Sequence, residues 1–170
     1  MKNIIILVCL LFSCQPEDVK KLSSELEIGQ EYNNGLIFYI FKETDPEYIE
    51  GEQHGYIVSN YIGEYQWGCQ DITLDQFNVQ GEYNTQVIIY YCGQYTAAWQ
   101  CYDNGWWLPS LEEWELLIAS NVLIMPPLSS YYWTSTKASY TDAYCIRPSD
   151  GDVKAVSVNG VLKFYGIQYF

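Results

Sequence analysis

The sequence predicts an α+β fold, with two short helices set between early and late strands, and three observations carry this. Early in the chain, Leu36–Phe41 is a continuous apolar run suited to a strand buried on both faces, and Tyr56–Ser59 reads as a second strand. In the middle, Thr96–Tyr102 reads as a helix stopped at Asn104-Gly105, and a second helix opens at Ser110. Late in the chain, β-branched and aromatic runs alternate with turn residues.

The residues that precede the fold read as a targeting segment. Lys2 is followed by an almost unbroken apolar run, Ile4 to Phe12, which suits a secretory signal and is too short to span a bilayer. It ends Leu11-Phe12-Ser13-Cys14, which resembles the lipobox of bacterial lipoproteins. That resemblance makes residues 1–13 a signal peptide and Cys14 the lipidated N-terminus. Two or more acyl chains hold a protein stably on a membrane. Residues 14–27 are polar, lack strand alternation, and read as a flexible tether. Glu17-Asp18 resembles the tags that export such lipoproteins to the cell surface, so an outer-membrane location is expected.

The domain then runs over residues 28–170. Asn33-Asn34-Gly35 is a turn before the first strand, and Asp45–Gln53 is an acidic loop. Trp67-Gly68-Cys69 follows a polar turn after the second strand. Residues 70–84 show no clean period, and Thr85–Tyr91 leaves both strand and helix open. The organising stretch is Gly105 to Ile118. Trp106–Leu108 is extended, Pro109 ends it, and Ser110 with Glu113 forms a Ser-x-x-Glu capping box. Leu111, Trp114, Leu117 and Ile118 then share one helical face. Met125-Pro126-Pro127 breaks that helix, and Tyr131–Thr136 is the next strand. Ala143–Arg147 and Val153–Val158 are joined through Pro148-Ser149-Asp150-Gly151. Asn159-Gly160 signals a hairpin into Val161–Phe164.

Composition narrows the class of partner. The formal net charge of −13 opposes nucleic acid and other polyanions through long-range repulsion, so no nucleic-acid partner is expected. Seventeen tyrosines suit either a binding surface or a β-rich core. Cys69, Cys92, Cys101 and Cys145 in an exported chain suggest two disulfides, with three connectivities open. With a single histidine and no CxxC pair, zinc is not expected.

A set of short pieces, in order, resembles the DUF1566 domain family, which includes the C-terminal domain of the Legionella collagen-like adhesin. They are Gly35–Ile40, His54–Val58, Trp67-Gly68-Cys69, Asn84-Thr85, Ala97-Ala98 with Cys101, Trp107-Leu108-Pro109-Ser110 with Glu113, and Tyr132–Thr136. The Leu-Pro-Ser-x-x-Glu-Trp piece is also similar to sulfatase-modifying domains. The resemblance implies a C-type-lectin-like fold: a twisted, mostly antiparallel sheet with two short helices and long loops. It also implies a Cys69–Cys92 disulfide, which leaves Cys101 with Cys145 as the second pair.

Catalysis lacks an inventory. His54 stands alone, so a Ser-His-Asp set has one candidate base and no marked partners. The neighbours of Cys145 do not match formylglycine-generating chemistry, and no spacing singles out a carboxylate pair. Asp150-Gly151-Asp152 reads as a turn, because the other ligands of a calcium loop are missing; calcium is the one cofactor kept as an alternative to none. Trp106, Trp107, Trp114 and Trp133 read as core. Tyr61, Tyr65, Tyr83, Tyr95, Tyr131 and Tyr140 read as loop platforms for a ligand ring. Lectin-like folds bind through late loops, here Pro126–Tyr131 and Lys137–Asp142. The expected ligand residues are therefore Tyr131, Tyr140, Asp142, Asp150 and Asp152. The expected function is a surface lipoprotein, adhesin-like and not an enzyme, that binds an extracellular neutral glycan or protein. The alternative is a structural envelope component that assembles with another protein.

Overall fold

The structure is a computed structural model that describes residues 25–70, 72–73, 77–122 and 128–170. The signal, Cys14 and most of the tether therefore lie outside the described residues, as do Pro126 and Pro127. Asn33 and Asn34 both take positive φ, 44° and 65°, the twist that a two-residue hairpin needs. They fold β1 (Glu31–Tyr32) onto β2 (Gly35–Ile40), which pairs in turn with β3 (Gly55–Gln66). Three helices follow: α1 (Gly81–Cys92), α2 (Ala97–Asp103) and α3 (Leu111–Ala119). The chain ends in β4 (Tyr132–Lys137), β5 (Asp142–Arg147), β6 (Asp152–Ser157) and β7 (Val161–Tyr169). One seven-stranded sheet has the order β1-β2-β3-β7-β4-β5-β6. Every pairing is antiparallel except β4 with β7, so the α+β expectation holds with a mostly antiparallel open sheet.

Neighbouring residues on a strand point to opposite faces. Tyr132 and Tyr165 enter one core cluster, while their neighbours Trp133 and Phe164 enter another. The sheet therefore separates two cores. On one face α3 contributes Trp114 and Leu117, packed on Phe38, Tyr56 and Ile167. On the other, α1 and α2 contribute Ile88, Ala97, Ala98 and Cys101, packed on Trp67 and Trp133. The indole nitrogens of three fully buried tryptophans find carbonyls: Trp67 donates to Thr134 at 2.7 Å, Trp114 to Trp133 at 3.0 Å, and Trp133 to Tyr65 at 3.0 Å. The Ser110 capping box forms as expected, with both reciprocal bonds present.

Four expectations are corrected. Among the described residues there are three helices, not two. The inward stripe of α1 is Gly81, Asn84, Thr85 and Ile88, and polar residues at two of those positions erase the hydrophobic period. The polar stretch 60–66 is not a turn but the continuation of β3, paired with β7 through Gln66↔Val161. Asn159-Gly160 does turn the chain, with Gly160 N donating to Ser157 O at 2.7 Å, yet no β6–β7 hairpin forms. β7 carries the fully buried Phe164, Tyr165 and Ile167, so it belongs at the centre of the sheet, whereas β6 is mostly exposed and takes an edge. Burying three large side chains outweighs a local turn preference.

The fourth correction concerns cysteine. Cys69–Cys92 is bonded and ties the chain after β3 to the end of α1. Cys101 and Cys145 are free and buried. The Cys101 thiol points at the Tyr165 carbonyl of β7, and the Cys145 thiol at the Lys154 carbonyl of β6, strands separated by β4 and β5. Each is a small apolar core residue with a weak donor. Burial pushes the Cys145 thiol up to about 11 and the Cys101 thiol up further, so neither is a nucleophile at neutral pH.

A candidate ligand groove walled by aromatic rings

α2 ends at Asn104, and Gly105 at φ 82° swings the chain away from it. The segment that follows is pinned to β7 by a reciprocal pair, Trp107 N to Ile167 O at 2.9 Å and Ile167 N to Trp107 O at 3.0 Å. Because alternate residues of an extended segment face opposite ways, the Trp106-Trp107 doublet sends one ring to each side. Trp107 packs with the cluster beneath α3, and Trp106 with the cluster beneath α1 and α2. Gly166 makes the close approach of Trp106 feasible: a Cβ there would lie 2.5 Å from Trp106 Cβ.

A groove of about 320 Å³ opens where this segment meets the start of α1, the end of α2 and the end of β7. Tyr102, Trp106, Trp107 and Tyr169 form its aromatic walls, with Trp107 and Tyr169 centroids 4.8 Å apart. Glu82 and Gln86 from α1 and Gln168 from β7 add polar groups at the rim. Thr85, also in the lining, accepts a bond from Leu108 N at 2.9 Å and so fixes α1 against the tryptophan segment.

Glu113 sits behind Trp107 and joins three segments. Its carboxylate accepts from Ser110 N at 2.7 Å and from Gly81 N at 3.3 Å, the first residue of α1. A Cβ on Gly81 would lie 2.2 Å from Glu113 Oε2, so only glycine fits. The Trp107 indole N–H lies near enough to favour the charged carboxylate but outside hydrogen-bond geometry. Burial nevertheless wins and pushes Glu113 up to about 7.

The expected ligand residues lie elsewhere and do not converge. Tyr131, Asp150 and Asp152 are together, but they satisfy one another. Tyr131 donates to Asp152, and Arg147 binds Asp150 at 2.7 Å and Asp152 at 3.2 Å. Lys154 lies 4.6 Å from the Tyr131 ring centroid and Arg147 5.1 Å. The hydrogen bond from Arg147 holds Asp150 below the usual carboxylate range, and the one from Tyr131 does the same for Asp152. Two acids facing two bases leave little charge for a calcium ion. Asp142 and Tyr140 are at the opposite end of β5, about 17 Å away along the strand. Asp142 accepts from the Ser139 and Thr141 hydroxyls and closes a turn. Among the described residues no cluster of three or more His, Cys, Asp or Glu could hold a metal. His54 is occupied by the Glu47 carbonyl at 2.6 Å and packs on Phe41.

Beyond this doublet the groove has no signature of its own in the sequence, where Trp106 and Trp107 read as core: Trp107 is buried as expected, while Trp106 is only partly buried. The doublet itself was the available signal, since two adjacent tryptophans cannot both enter one core. No family model matches the chain, and no curated protein matches it.

Proposed function

We propose that the chain is an extracellular binding module, not an enzyme, whose Trp106–Trp107 groove takes a neutral sugar. The observation that carries this is the composition of the groove's lining: four aromatic residues beside two glutamines and a glutamate. Sugar rings stack their C–H faces on aromatic surfaces, and their hydroxyls need side chains that both donate and accept, which glutamine supplies. Glu82 is the only charged side chain in the lining and the net charge is −13, so an anionic sugar is disfavoured. The DUF1566 and lectin-like resemblance, and a lipobox at Cys14, support an adhesin-like lipoprotein held on the outer surface. The late-loop site at Tyr131 and Asp152 is set aside because its groups are already paired.

The test is a neutral-glycan array followed by titration of each hit against tryptophan fluorescence. Trp106→Ala is expected to weaken binding by about tenfold, the scale of one lost stacking contact. Tyr140→Ala, far from the groove, should change nothing. Equal binding by the Trp106 variant would sink the assignment of this groove.

A further inference from the structure

Among the described residues seven tyrosines are exposed, and five of them fall between residues 83 and 102. Tyr83 and Tyr90, seven residues apart on α1, lie opposite its buried stripe and are 45% and 83% exposed. Tyr91 packs edge-on against Tyr90 at 4.9 Å, and Tyr95 in the α1–α2 turn is 73% exposed. Such rings are a hydrophobic cost on a solvated helix unless something covers them.

The surrounding charge says what would cover them. Neither lysine nor arginine occurs between Lys42 and Lys137. Glu82 and Asp103 are exposed on α1 and α2. Neither helix has a basic residue in its last turn, so the negative ends of both dipoles are uncompensated by their own side chains. Lys137 reaches the carbonyl of Cys69, the disulfide partner of Cys92 at the end of α1, but it is buried, with its ammonium over the Trp67 ring. Tyrosine faces, carboxylates and helix C-termini all attract cations.

We propose that the tyrosine face of α1 and the α1–α2 turn docks an arginine- and lysine-rich polypeptide segment. The face borders the sugar groove at Glu82 and Tyr102, but Tyr83, Tyr90, Tyr91 and Tyr95 lie outside the groove's lining, so the proposal does not depend on sugar binding. Arginine is favoured over lysine, because its flat guanidinium stacks on an aromatic face while also reaching a carboxylate.

The test uses the full chain and a fluorescently labelled nona-arginine peptide at physiological ionic strength, with nona-lysine and nona-glutamate for comparison. Nona-arginine is expected to bind tightest and nona-glutamate not at all. The Tyr90→Ser/Tyr95→Ser double variant keeps every charge and changes only solvent-facing side chains; it should bind nona-arginine about tenfold more weakly. Tyr90→Phe/Tyr95→Phe keeps the rings and should bind as the wild type does. Undiminished binding by the serine variant would show that general acidity alone attracts the peptide and would overturn the proposal. So would self-association of the wild type that the serine variant abolishes, which would make the occupant a second copy of this chain.

Discussion

Glu113 shows how far a single residue can be read from sequence. Its spacing from Ser110 announces the capping box, and the box forms. The reach to Gly81, 32 residues away, has no local signature and appears only when α1 docks. That long-range contact buries the carboxylate, and burial sets a pH dependence. An ordinary glutamate has a pKa of 4.5, and here it rises to about 7. A raised folded-state pKa means that the folded chain holds a proton the unfolded chain has released. The contribution is therefore full below about pH 4.5 and is lost as pH rises through about 7. The difference is worth about 3 kcal/mol. Glu113→Gln mimics the neutral form at every pH. Urea unfolding at about pH 5 and about pH 8 should show the wild type losing about 2.5 kcal/mol more than this variant across the interval, because part of the effect lies below about pH 5. Parallel curves would mean that the carboxylate is not strained by its surroundings.

At the scale of elements, legibility followed the kind of residue that faces inward. α3 was readable because Trp114 and Leu117 give it an apolar stripe, and α2 because Asn104-Gly105 ends it; that Thr96 caps α2 rather than lying within it is seen only in the structure. α1 was not, because Asn84 and Thr85 take core positions by hydrogen bonding. Asn84 donates to Asn78 O at 2.8 Å and to Ser135 Oγ at 3.3 Å, and accepts from Asn78 N at 2.9 Å. A hydropathy pattern cannot anticipate a buried amide whose partners lie in a loop and on β4. Asn84→Ala should strand those partners and lower the unfolding free energy by about 2–3 kcal/mol in denaturant titration. A loss below about 0.5 kcal/mol would show that water replaces the amide freely and that α1 is held by its other contacts, at Gly81, Thr85, Ile88 and the Cys69–Cys92 bond. The β6–β7 turn failed for the complementary reason. Asn-Gly specifies a reversal but says nothing of which strand the returning chain will join. Val158 is diverted from β6, with its carbonyl accepting from Trp67 N and its N–H donating to Thr141 O.

For the whole molecule, the arrangement of charge was written in the sequence, but its meaning needed the fold. The absence of cations from residues 43 to 136 becomes, in three dimensions, a helical half without a lysine or arginine. Arg147, Lys154 and Lys163 stand instead on β5, β6 and β7, each paired with an acid. With 21 acids and eight bases, most carboxylates have no cation to meet. The field that repels polyanions from the surface therefore also acts within the folded chain, where compaction brings like charges together. Two effects of salt then compete. Screening relieves that repulsion, and it also weakens the surface ion pairs. Exposed pairs of this kind contribute about 0–1 kcal/mol each, and those on Arg147 and Lys154 share Asp152. Repulsion distributed over a net charge of −13 should outweigh them. The melting temperature is accordingly expected to rise as sodium chloride is added up to physiological ionic strength, where the screening length is about 8 Å. A melting temperature that fell instead would mean that the Arg147–Asp150–Asp152 cluster and the Lys163–Glu64 pair stabilise the sheet more than the acidic surface strains it. The tyrosine-lined helical face would then have less unbalanced field with which to draw a basic partner.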